Sequence, residues 1–133
     1  MDAGKWSYDY AWPEPDPGPF TTIAWRVNHI ATCKVMYHEH AFGAQELTWP
    51  ELEIPRSVPE AMAMLDEGQR LLVKDLGSLE DEDLQAPRLT NWGEEWPTWR
   101  ILWTMVQHDL WHGGEIGALR DLHRVSQLGD RQN

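Results

Sequence analysis

His108-Asp109-Leu110-Trp111-His112-Gly113-Gly114-Glu115-Ile116-Gly117-Ala118-Leu119-Arg120 is the stretch whose reading decides the fold. It reads as the middle of a long helix with two histidines four residues apart. Residues i and i+4 share one helix face, one turn above the other. Two imidazoles held that way can grip a single metal ion, as on the helices of zinc proteases. Those helices carry a glutamate directly after the first histidine, and here Asp109 takes that place. The spacing therefore points to a metal and away from peptide hydrolysis.

Outward from this stretch, the helix is expected to start near Pro97 and run to about Gln127. Trp99, Leu102, Trp103, Val106 and Leu110 form one apolar stripe on it. Ile101, Met105, His108, His112, Glu115, Leu119 and Leu122 form the neighbouring one. Gly113, Gly114 and Gly117 lie inside the helix, each at a cost of about 1 kcal/mol against Ala. That cost predicts close approach of another element, a neighbouring helix backbone ahead of a bulky ligand beside His112.

An earlier helix is expected from near Thr21 to about Ala41, capped by Thr21 or Thr22 after Pro19 and ended by Gly43. Phe20, Ile23, Val27, Ile30 and Ala31 share one of its faces; Trp25, His29, Cys33 and Met36 share another. Apolar residues on two faces predict a helix buried on two sides, with His29 pointing inward. A loop with Pro50 and Pro55 follows over residues 44–56, and long loops often carry function. Ser57-Val58-Pro59-Glu60 then reads as a capping box opening a middle helix. Its stripe is Ala61, Met62, Leu65, Leu72 and Leu76, and Gly77 is placed to stop it. Residues 78–84 predict a short, solvated acidic turn, and residues 86–96 a loop built on Asn91-Trp92-Gly93. The chain divides into a Pro-rich extended segment over residues 1–19, one helical domain over 20–127 and a tail over 128–133. Pro13, Pro15, Pro17 and Pro19 keep the first segment from being helical.

Composition limits the partners. The 133 residues suit one domain with one core. Nine tryptophans give that core much burial per residue. A net charge of -11 repels phosphate backbones and anionic membrane surfaces, so no nucleic-acid or membrane partner is expected. One cysteine, Cys33, excludes an internal disulfide and fits a reducing, cytoplasmic setting. Met1 to Phe20 has no apolar core of a signal peptide, and no run reaches transmembrane length.

His108 and His112 supply two metal ligands, and His29, on an inward face with Trp25 and Met36 around it, is the best third candidate. Zinc, nickel and iron sites commonly use neutral imidazoles, and a catalytic site leaves a position open for water or substrate. The competing reading makes these histidines ordinary core or surface residues bonded to carbonyls, since a lone H-x-x-x-H is a short pattern. His38 and His40, near a helix end, and His123 near another read as favourable charge at helix C-termini. Cys33, one turn from His29, reads as a small buried side chain ahead of a nucleophile. Trp96, Trp99 and Trp103 read as core residues ahead of a substrate platform.

Thr22-Ile23-Ala24-Trp25-Arg26-Val27-Asn28-His29-Ile30-Ala31, the capped middle helix, and His108-x-x-x-His112-x-x-Glu115-Ile116-x-x-Leu119-Arg120-Asp121 follow one another in an order that resembles the DinB / YfiT-like superfamily. This group includes the metal-binding domain of mycothiol-dependent maleylpyruvate isomerase. The resemblance spans roughly residues 18–125. It implies an all-α, four-helix-type bundle holding a divalent metal on three histidines, which by motif position are His29, His108 and His112. Trp25, Cys33, Met36, Trp111 and Glu115 would line the pocket, with Glu115 the candidate for an orienting or proton-carrying role. It further implies a homodimer and a small-molecule substrate. The implied activity is a metal-dependent thiol transfer or isomerisation, using a low-molecular-weight thiol such as mycothiol or bacillithiol. A non-catalytic metal-binding or dimerisation module is the alternative. Family members carry a long helix ahead of the one beginning near Thr21, and here that place holds the Pro-rich segment. The first long helix is therefore expected to be absent or truncated, leaving a groove for the aromatics of residues 6–12 or a second copy to cover.

Overall fold

The computed structural model describes residues 21–130, with side chains through Gln127. The expectations for residues 1–20 and for the tail beyond Asp130 lie outside the described residues. Within them the fold is all-α, with three long helices and one small hairpin. Helix α1 spans Ile23–Ala41, α2 spans Val58–Gly77 and α3 spans Thr98–Asp130; strands β1, Pro87–Leu89, and β2, Glu95–Pro97, form the hairpin. Single turns of 3-10 helix cover Trp49–Glu51 and Asp81–Gln85.

Local chemistry accounts for the helix ends. Thr22 caps α1, its hydroxyl accepting from the Trp25 amide at 3.0 Å. At the other end Gly43 serves close approach: a Cβ there would fall 2.9 Å from the Glu39 carbonyl oxygen. Ser57 caps α2 by accepting from the Glu60 amide, at a long 3.4 Å. The reciprocal half of the expected capping box is absent, because the Glu60 carboxylate accepts from the Arg56 amide at 2.8 Å. Nor does Gly77 act as a left-handed stop. It is the last residue of α2, and Ser78 caps the end with its hydroxyl on the Asp75 carbonyl at 2.7 Å.

Helix α1 is the central element. Residues on all of its faces are buried, including Trp25, Ile30, Ala31, Cys33, Met36 and Tyr37. The expected two-sided burial is therefore borne out. Polar residues join it inside: Arg26, Asn28, Thr32 and Lys34 are buried too. Asn28, Thr32 and Lys34 donate hydrogen bonds within the fold, and Arg26 is ion-paired with Glu115, its Nε 3.0 Å from Oε2. Asn28 donates to the Pro55 carbonyl at 3.2 Å, and Thr32 to the Asn28 carbonyl at 2.8 Å. Lys34 donates to Gln69 of α2 at 2.9 Å and also to Asp109 of α3.

Helix α2 meets α1 through small residues. Ala61, Gly68 and Leu72 are buried, whereas Met62 and Leu76 of the expected stripe are largely exposed. The true inner row is Ala61, Leu65, Gly68 and Leu72, because a Cβ at Gly68 would stand 2.8 Å from the Lys34 Cβ. Close helix approach belongs to this glycine. Among the described residues nothing lies within 4 Å of a built Cβ at Gly113, Gly114 or Gly117, so the crowding expected around them is not found there.

Residues 87–97 form a β-hairpin where a loop over 86–96 was expected. Arg88 pairs with Trp96, and the Thr90 amide donates to Glu94 at 2.8 Å across a turn in which Gly93 has φ +88°. The run is short and lacks alternating apolar residues, so it carries no strand pattern. Its tertiary role is a latch between helix ends. Arg88 donates to the Ala41 carbonyl and to the Thr98 hydroxyl, both at 3.0 Å, and its guanidinium lies over Phe42. The adjoining core holds Cys33, Tyr37, Ala41, Leu72, Ile101 and Met105.

On α3 the inner row is Thr98, Ile101, Met105 and His112, with His108 half-buried, as the second stripe predicted. Of the first stripe, Leu102 packs against the core, but Trp99, Trp103, Val106 and Leu110 are exposed, Leu110 to 71%. Beyond Arg120 every described side chain is exposed, Leu122 included, so the helix outruns its neighbours.

A substitution pair tests the assignment of the glycines. Gly68→Ala is expected to destabilise the fold by about 1–3 kcal/mol through overpacking against Lys34. Gly114→Ala should stabilise it by up to about 1 kcal/mol through helix propensity. Urea unfolding of both variants measures the two signs; a neutral Gly68→Ala would contradict the packing described.

Candidate metal centre

Two helices build the site. His29 sits one turn and a half into α1, and the buried face of that helix turns it toward α3. His108 and His112 continue the inner row of α3 beyond Met105. One ligand-capable atom from each of these three side chains lies within 4.8 Å of the other two. The Nε2 atoms of His29 and His108 are 3.0 Å apart. The ring centres are separated by 4.9 Å for His29 and His108, 4.8 Å for His29 and His112, and 4.4 Å for His108 and His112.

These distances fit one small cation. Imidazole nitrogens at 2.0–2.1 Å from a tetrahedral zinc lie about 3.3 Å from each other. Nitrogen is also a donor type that zinc, nickel and iron accept. The protonation state agrees. Burial, reinforced by the charges of His108, His112 and Arg26, pushes the His29 pKa down to about 3. Burial, followed by the charge of His112, takes His108 to about 4. Both rings are thus neutral at physiological pH, the form that ligates.

Aromatic and charged side chains enclose the triad. Trp25 stacks on His29 at 4.7 Å, and Trp111 stacks on His112 at 5.2 Å with the planes 12° apart. Trp25 is buried, whereas Trp111 is 67% exposed and forms the outer wall. The Cys33 Sγ stands 3.9 Å from both nitrogens of His29. Burial, aided by the negative charge of Asp109, pushes its thiol up to about 12, so it is protonated and a poor nucleophile. Met36 is fully buried, and Tyr37 also faces His108, with ring centres 6.4 Å apart. Glu115 lies one turn beyond His112, and its Oε2 is 2.6 Å from the His112 Nδ1.

The sequence profile of the DinB superfamily matches residues 8–116. The chain belongs to the DinB superfamily. No curated protein matches it. In this DinB-superfamily chain the matched region contains α1, α2 and the part of α3 that carries both histidines. It also contains Glu115 and a residue that the sequence reading passed over, Arg26. Arg26 is buried, its Nε 3.0 Å from Glu115 Oε2 and its Nη1 3.4 Å from His112 Nδ1. Its signal in the sequence was its place three residues before His29, on the same side of the helix. The remaining histidines serve elsewhere. His38 pairs with Asp75 at 2.6 Å, His40 meets the Leu47 carbonyl at 3.1 Å, and His123 is exposed.

Acid sensitivity follows from the buried imidazoles. Their folded pKa values lie below the ordinary 6.5. The unfolded chain therefore binds more protons than the folded one between about pH 6.5 and pH 4. The stability these groups retain above pH 6.5 is lost as the pH falls through that window. In chelator-treated protein the melting temperature should drop over this range. It should drop less in the His29→Asn/His108→Asn double variant; parallel curves for the two proteins would contradict the assignment.

Proposed function

We propose that His29, His108 and His112 together hold one divalent metal ion, zinc, nickel or iron. On this reading the chain is an enzyme that transfers or isomerises a small molecule with the help of a low-molecular-weight thiol such as mycothiol or bacillithiol. The observation that carries the reading is the convergence of three imidazoles, two of them held neutral by burial, in a group that contains no fourth ligand among the described residues. A three-histidine set leaves a coordination position open to water or a thiol. A metal bound there would lower the pKa of a coordinated thiol and favour the thiolate.

The chain's own residues have defined tasks around that position. His29 and His108 are half-buried, so a ligand from solvent reaches their edge of the triad, while His112 is buried at 3% exposure and anchors it. Trp25 and Trp111 stack on two of the rings and restrict their rotation. Cys33, protonated, is a wall and not the attacking sulfur. No helix among the described residues is long and apolar enough to cross a membrane.

Elemental analysis of protein purified without a histidine tag tests the site. About one divalent ion per chain is expected, falling to none in His108→Ala and His112→Ala. Protein that is metal-free and takes up neither zinc nor nickel would overturn the proposal. Conjugation assays with mycothiol and bacillithiol then separate an enzyme from a binding module.

The uncovered face of α3 favours a second role in self-association. Trp99, Trp103, Val106 and Leu110 recur at spacings of four, three and four residues and are all exposed. Such a seam suits a second helix of the same kind. Tryptophans that bury roughly 150–250 Å² each contribute much of the roughly 800 Å² per partner that a stable contact needs. We expect a symmetric dimer through this face, with light scattering across a dilution series showing twice the chain mass. Trp103→Glu should halve that mass; a wild-type protein that stays monomeric at high concentration would refute it.

A further inference from the structure

We infer that Arg26 and Glu115 are positioning residues that hold His112 as its Nδ1–H tautomer and preset its Nε2 to face the other two histidines. The inference rests on the proposed metal reading and adds to it how the third ligand is aimed.

Start from the atoms around His112 Nδ1. It lies 2.6 Å from Glu115 Oε2 and 3.4 Å from Arg26 Nη1. A neutral imidazole nitrogen either donates or accepts, so only one of these contacts can be a full hydrogen bond. A carboxylate paired with a guanidinium offers acceptor atoms only, and the contact to it is the shorter by 0.8 Å. The proton therefore sits on Nδ1 and points at Glu115. The other ring nitrogen, Nε2, is left bare. Metal-bound histidines ordinarily donate their second N–H to a carboxylate, which fixes both tautomer and ring direction.

Glu115 needs an anchor of its own to do this. It stands on α3, three residues after His112, and unaided its side chain would turn to solvent. Arg26 supplies the anchor. Its Nε is 3.0 Å from the same Oε2, its guanidinium lies 4.5 Å above the Trp25 ring, and it is buried. Trp25 in turn stacks on His29. The chain of contacts thus runs from His29 through Trp25, Arg26 and Glu115 to His112. It joins α1 to α3 by a second route beside the histidines themselves. Because Arg26 precedes His29 by three residues and Glu115 follows His112 by three, each partner lies one helical turn from the ligand of its own helix. The two helices are locked in register at the site before any ion arrives.

The test uses the full chain, stripped of metal with a chelator. Histidine nitrogen chemical shifts should show His112 as the Nδ1–H form in wild type. Glu115→Gln and Arg26→Met should lose that form or mix it with the Nε2–H form. Zinc affinity, measured by competition with a chelating dye, should fall 10–100-fold in both variants while their helical circular dichroism persists. Should Arg26→Met fail to fold, the wild-type tautomer and Glu115→Gln still decide the matter. A wild-type His112 protonated on Nε2, or variants whose tautomer and zinc affinity match wild type, would overturn the inference. Wild-type protein that binds no zinc yet shows the Nδ1–H form, lost in Glu115→Gln, would remove the metal reading and leave the positioning pair standing.

Discussion

A buried lysine ties the three helices together. Lys34 lies in the middle of α1 and its ammonium group reaches Gln69 on α2 and Asp109 on α3. An ammonium ion taken out of water is costly unless it is paired and hydrogen-bonded. The arrangement that satisfies Lys34 is one in which both neighbouring helices present the right side chain at the right height. Gly68 makes this possible, because its missing Cβ lets α2 come within contact of the Lys34 stem. Asp109 is also the residue directly after His108. The contact that neutralises the lysine thereby sets the rotation of α3 that turns His108 and His112 toward α1.

The site inherits its chemistry from this packing. Helix α1 is buried on most of its surface, so His29 is partly withdrawn from water and stays neutral. The same burial that keeps Cys33 protonated keeps the neighbouring imidazoles unprotonated, since in both cases the uncharged form is favoured away from water. One environment therefore disarms the thiol and readies the histidines. At the far end of the helices, Arg88 holds the end of α1 against the start of α3. The histidines sit between that latch and the Arg26–Glu115 pair, so the inner row of α3 is pinned on both sides of them.

The exposed apolar row of α3 stands in contrast. Its inner row and its outer row are both apolar, and a helix with two such rows is partly unpartnered unless it is covered on both. The inner row packs toward α1 and carries His108 and His112. The outer row, Trp99 to Leu110, has the composition of an interface and the exposure of a surface.

Much of this was legible in the residues alone. The spacing of His108 and His112, the period of the apolar residues and the threonine and serine caps depend only on near neighbours in the chain. They determine where helices run and which histidines share a face. His29 could be named as a third member because the face it occupies is apolar and therefore turned inward. What pairs with what across space was decided only by the tertiary structure. Arg26 and Lys34 look like surface cations until their partners arrive from residues 69, 109 and 115. The glycines of α3 looked crowded and meet nothing among the described residues, while Gly68 drew no notice and is tight against Lys34, because a glycine does not record what stands opposite it. The tryptophans of α3 looked like core for the same reason: periodicity shows that a helix has an apolar row, and only packing decides whether anything within the chain covers it.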